Sequence, residues 1–145
     1  MDTARFTGAW NLRSMRRFGA DGEVSQPYGQ NPVGIIMYTP DGYMSANIMR
    51  SGRPGFPSDA YGSASPEEQG EALRSYLAYA GPFEVASDTK VIHHVTTSLI
   101  PNWTGGDQTR YYAFDDSRRA LTLSTHPADD RSPGRVVLVW ERAGV

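Results

Sequence analysis

The sequence predicts an all-β fold, a closed antiparallel barrel of eight strands with one α-helix between the third and fourth. Three observations lead there. Short strand-like runs recur along the whole chain, separated by turn residues. Fifteen glycines and ten prolines in 145 residues mark a chain with many turns. Helix signals converge at only one place.

The first strand is Phe6–Arg16, whose alternation puts Trp10, Leu12 and Ser14 on one face and Asn11, Arg13 and Met15 on the other. A turn region follows, with Asp21-Gly22 as a hairpin-type dipeptide. VGIIMYT (33–39) is apolar nearly throughout, as expected of a strand covered on both faces. Pro40-Asp41-Gly42 closes it and YMSANIMR (43–50) returns, the clearest hairpin in the chain. Residues 51–64 form a Gly/Pro/Ser loop long enough to suggest a functional or lid-like segment. The helix starts at Ser65, a natural N-cap, with Pro66 at N1, acidic Glu67 and Glu68 in the first turn, and a capping-box spacing from Ser65 to Glu68. Leu73, Tyr76, Leu77 and Ala80 continue it as an apolar stripe, and Gly81-Pro82 ends it. Strands resume at 82–87, 90–99, 108–115, 120–125 and 135–142. With no internal repeat or boundary signal, residues 1–145 read as one domain.

The net charge of −2 is scattered, and the short basic clusters lack interleaved aromatics, so no nucleic-acid partner is expected. No run reaches the ~18–20 apolar residues of a membrane span, and no membrane partner is expected. The start of the chain carries no apolar secretory segment and there are no cysteines; both suit a cytoplasmic protein. Without cysteine, disulfides, thiolate metal sites and cysteine nucleophiles are excluded.

The stretches GAWNL, PVGIIMYTPDGYMSANIMR, SYLAYAGPFEV, HHVTTSLIPNWTGGDQTRYY, LTLST and VLVWER, in that order, resemble the lipocalin-like domain proteins of bacteria and fungi. The resemblance covers nearly the whole chain. It implies an up-and-down barrel of calycin type around a pocket. In lipocalins proper the tryptophan of Gly-x-Trp closes the barrel floor beneath an arginine from the far end of the chain. Gly8 and Trp10 match that motif, and Arg142 is the counterpart the resemblance offers. Lipocalins proper are commonly secreted, often disulfide-bonded, and carry their helix after the barrel. This chain departs on those points, so extracellular transport does not carry over. An eight-stranded barrel is just wide enough to be filled by side chains or to hold one small ligand, and the helix would plug or cover one end.

Adjacent histidines in a strand face opposite ways, so His93 and His94 cannot share one metal ion, and no other ligand spacing points to a metal site. No P-loop, nucleophile elbow or dinucleotide fingerprint is present, so no cofactor is expected. One of the two histidines faces the interior. His94 shares its face with Ile92, Thr96 and Ser98, and His93 with Val91, Val95, Thr97 and Leu99; the pattern leaves both choices open. An inward histidine is a candidate general acid–base, set against a structural hydrogen-bonded one. Arg110, if inward, would hold an acidic or enolate-like oxygen; Tyr111, on the opposite face, is a ligand-binding candidate. Asn102 and Trp103, after Pro101, stand at a barrel rim as ligand handle and stacking platform, or simply fill the corner. Tyr43, Asn47 and Met49 share a face suited to a ligand wall, and the Tyr76 hydroxyl is a further candidate.

The inventory favours a cofactor-free cyclase or isomerase acting on a small, partly apolar secondary metabolite by substrate folding with acid–base assistance. The alternative is a non-catalytic carrier or sensor for such a molecule. Monomer and homodimer are both compatible. The enzyme reading predicts that His94→Ala or Asn102→Ala lowers turnover with the fold intact.

Overall fold

A computed structural model describes residues 2–144; Met1 and Val145, the ends of the expected domain, lie outside them. Strand follows strand wherever period-2 burial operates: β1 (Gly8–Phe18), β2 (Val24–Ser25), β3 (Val33–Tyr38) and β4 (Tyr43–Met49) precede helix α1 (Pro66–Arg74). After it come β5 (Tyr76–Val85), β6 (Lys90–His94), β7 (Thr97–Ser98), β8 (Asp107–Phe114), β9 (Ala120–Ser124) and β10 (Arg135–Arg142). Eight strands pair in the order β1-β3-β4-β5-β6-β8-β9-β10, and β10 pairs back onto β1. Every pairing is antiparallel, so the sheet closes and the eight staves leave no long free edge. β2 extends the end of β1, and β7 pairs with β5.

Two expectations need correction. The helix follows the fourth strand rather than the third, because Val24 and Ser25, in the predicted turn region, pair with Phe18 and Arg17 as a short strand. It also ends at Arg74 instead of reaching Ala80. Its start is as expected, with Ser65 and Glu68 forming the reciprocal capping box. Beyond Ser75 the chain runs extended, paired with β4 from Met49↔Tyr76 to Tyr43↔Pro82. Strand pairing wins there because Tyr79 falls in phase with Phe83 and Val85 on the buried face. The stripe read as helical is compatible with both periods over so short a run. α1 buries none of its residues.

One end of the barrel is shut. Trp10, fully buried, donates its indole N–H to the Phe6 carbonyl at 2.9 Å. The Arg142 guanidinium lies 4.1 Å from the Trp10 ring centroid and donates to the Thr7 and Arg5 carbonyls, each at 2.8 Å. Gly8 has φ +123°, and a side chain there would meet Arg142 Nη1 at 3.1 Å, which accounts for glycine at this position. Above this floor, Phe6 makes edge contacts with Tyr38, Tyr112 and Phe114.

Candidate functional site

The alternation of each stave decides what the interior contains. Met44, Ala46 and Ile48 of β4, Tyr79, Phe83 and Val85 of β5, and Val91 and His93 of β6 are buried. Toward the end away from Trp10 the filling is incomplete, leaving a cavity of about 210 Å³. Ile36, Ala46, Ile48, Leu123 and Leu138 form its apolar walls. Tyr79, Trp103 and Trp140 give it aromatic surfaces, and Met15, Leu77 and Val136 complete the lining with Arg110 and Thr125. A mostly apolar hollow with a few placed polar groups is the usual form of a small-molecule site.

His93 is fully buried and held at both nitrogens: Tyr38 Oη lies 2.8 Å from Nε2, and Tyr79 Oη lies 2.8 Å from Nδ1. Burial, reinforced by the Arg110 and His94 charges, pushes its pKa down to about 3, so it is neutral at physiological pH. Burial also raises both tyrosines, keeping their hydroxyls protonated. Arg110 faces inward in phase with Tyr112 and donates to the Thr109 carbonyl at 2.9 Å and to Gln108 Oε1 at 3.2 Å. It forms no salt bridge among the described residues. Trp103 meets Tyr79 edge-on at 5.4 Å between centroids.

The structure thus brings His93, Arg110 and Trp103 together and sends the other candidates elsewhere. His94 points out of the barrel, where its Nδ1 lies 2.7 Å from Asp107 Oδ1 and its Nε2 2.7 Å from Glu84 Oε1. The hydrogen bonds to Asp107 and then Glu84 raise its pKa. Asn102 is exposed on a turn of 3₁₀ helix over Pro101–Trp103. Tyr43, Asn47 and Met49 occupy the outer face of β4, because Met44, Ala46 and Ile48 take the inner one. There Asn47 Oδ1 accepts from the Tyr76 hydroxyl at 2.9 Å, and Arg53 covers the Tyr76 ring. Tyr111 faces outward, out of phase with Arg110. Sequence reasoning missed Tyr38 and Tyr79; a period-2 reading of YLAYAGPFEV would have put Tyr79 in register with Phe83.

A larger concavity of about 470 Å³ lies outside the barrel, between the 51–64 loop and α1, with Glu67, Glu68 and Glu71 along it. Its one cation, Arg53, is engaged by the Ala72 carbonyl and Ser75 Oγ, both at 2.9 Å. No residue of α1 lines the interior cavity, so the helix does not plug the barrel. Among the described residues no cluster of three histidine or acidic side chains could hold a metal ion, and no helix is long and apolar enough to cross a membrane.

Closed barrel, arginine-capped tryptophan floor and hollow interior define a small calycin-type barrel with a ligand-sized cavity. The chain belongs to the family described as lipocalin-like domain, whose model matches residues 7–143. It is similar to the 4'-hydroxy-3'-methoxypropiophenone carrier protein ppsC of Aspergillus oryzae, 42% identical over 92 residues, covering 58% of this chain and 81% of that one.

Proposed function

We propose that this protein is a carrier that holds one small, single-ring, partly apolar molecule inside the barrel, with the cytoplasm as its compartment. The observation that carries the reading is the mostly apolar cavity of about 210 Å³ with aromatic walls and a few polar groups, among them Tyr79, Arg110 and Thr125. An apolar protein cavity of about 150 Å³ already takes up benzene, so this one has room for a ring with a short substituent. The name of the relative, a carrier of a substituted propiophenone, supports a ligand of that kind.

Isothermal titration with 4'-hydroxy-3'-methoxypropiophenone tests the proposal. One saturable site per chain is expected, and Ala46→Leu, which fills the cavity from a buried wall, abolishes it. Undiminished binding to that variant contradicts the assignment.

The Tyr38–His93–Tyr79 chain favours a second reading, a cofactor-free cyclase or isomerase in which Tyr79 and His93 exchange a proton with the ligand beside Arg110. Prolonged incubation with the ligand separates the two: recovery of unchanged ligand supports the carrier, and a product isomeric with it supports the enzyme.

A further inference from the structure

We infer that the cavity selects molecules presenting a carbonyl oxygen, because the Tyr38–His93–Tyr79 chain runs in one direction and ends in a hydroxyl donor at the cavity. The inference rests on the binding reading above and adds what that site recognises.

The direction follows from counting donors and acceptors. Neutral imidazole carries one N–H and one lone pair, so one tyrosine donates to it and the other accepts from it. Tyr38 is 2% exposed, and His93 is its hydroxyl's only hydrogen-bond partner among the described residues. Around it pack the rings of Phe6 at 5.1 Å and Phe83 at 4.8 Å, which offer no conventional acceptor. If Nε2 carried the proton, the Tyr38 O–H would be buried without an acceptor, a costly arrangement. Tyr38 therefore donates to Nε2, the proton sits on Nδ1, and Nδ1–H donates to Tyr79 Oη.

That leaves the Tyr79 proton without an acceptor among the described residues, on a side chain that lines the cavity. Two further observations point the same way. Trp140 lines the cavity too, and its buried indole N–H has no partner among the described residues. Arg110, with no salt-bridge partner there, lies close enough to bias Tyr79 electrostatically. The Tyr79 wall of the cavity thus offers an unsatisfied donor near a cation, and its complement is an acceptor. A ketone on a ring satisfies the Tyr79 hydroxyl and leaves the apolar remainder against Trp103, Ile48 and Leu138. A hydrocarbon of the same shape leaves the donor unpaired.

Two measurements test this. A long-range ¹H–¹⁵N correlation spectrum of the imidazoles reports which His93 nitrogen is protonated; Nδ1–H is expected, and Nε2–H overturns the inference. Titration with propiophenone and with propylbenzene measures selection. The ketone is expected to bind roughly tenfold more tightly, the weight of one well-made hydrogen bond, and Tyr79→Phe removes the preference. Equal affinities in the wild-type protein overturn the inference. If neither compound binds, the carrier reading and the selection built on it fail together, while the spectrum still decides the direction of the chain.

Discussion

His93 and His94 are neighbours in sequence with opposite chemistry, and the difference is one of surroundings. His93, buried between two phenols, has its pKa lowered to about 3. His94, between two carboxylates at the surface, has its pKa raised. An NMR titration is expected to show one histidine titrating above the ordinary value of about 6.5, lost in His94→Gln, and another that stays neutral throughout the native range. The linkage signs are opposite. His94 binds its proton more tightly folded, so its contribution is full below pH 6.5 and fades as pH rises through its raised folded value. His93 is depressed on folding, so its contribution is full above pH 6.5 and is lost as pH falls toward 3, by up to roughly 5 kcal/mol. Denaturation at stepped pH is expected to show steep acid destabilisation that His93→Gln flattens. That the pair splits across the sheet was legible from strand geometry alone. Which member points inward was not, because Val91, Ile92 and Val95 make both faces apolar; the deciding carboxylates, Glu84 and Asp107, become neighbours of His94 only through pairing.

At the scale of elements, the junction of β5 with β6 and β7 holds the site in place. Gly81 sits where β5 passes from pairing with β6 at Phe83 to pairing with β7 at Ala80. A Cβ there would lie 1.9 Å from the His94 carbonyl oxygen, so the backbone itself would have to move. Gly81→Ala is expected to destabilise the protein by roughly 3 kcal/mol or more, read by urea denaturation, and to weaken ligand binding by shifting His93 away from Tyr79. Ser65→Ala removes a cap worth about 1 kcal/mol, yet α1 buries nothing and does not line the cavity. Faster amide exchange in α1 with unchanged ligand affinity is therefore expected. The start of α1 was readable because capping is local chemistry. Its end was not, because Tyr76–Ala80 takes its conformation from β4, a partner the local sequence does not reveal.

For the whole molecule, the barrel was legible from strand spacing and turns, and the tryptophan floor from the resemblance that the Gly8-x-Trp10 stretch carries. The cavity was not, since its walls come from seven strands and from Trp103 and Thr125 outside them, and the inner faces are fixed only when the sheet closes. Arg142 ties the end of the chain to the Thr7 and Arg5 carbonyls across the Trp10 ring. Losing those two hydrogen bonds and the cation–π contact in Arg142→Ala is expected to cost roughly 3 kcal/mol, measurable as a lower urea midpoint.

The central claim is that the ligand sits within the barrel rather than in the larger groove beside α1. A crystal structure of the protein soaked with 4'-hydroxy-3'-methoxypropiophenone tests it most directly. The account predicts density for the ring between Trp103 and Leu138, with its ketone oxygen at Tyr79 Oη. Density only in the groove along Glu67 and Glu71, with the barrel interior unchanged, would contradict it.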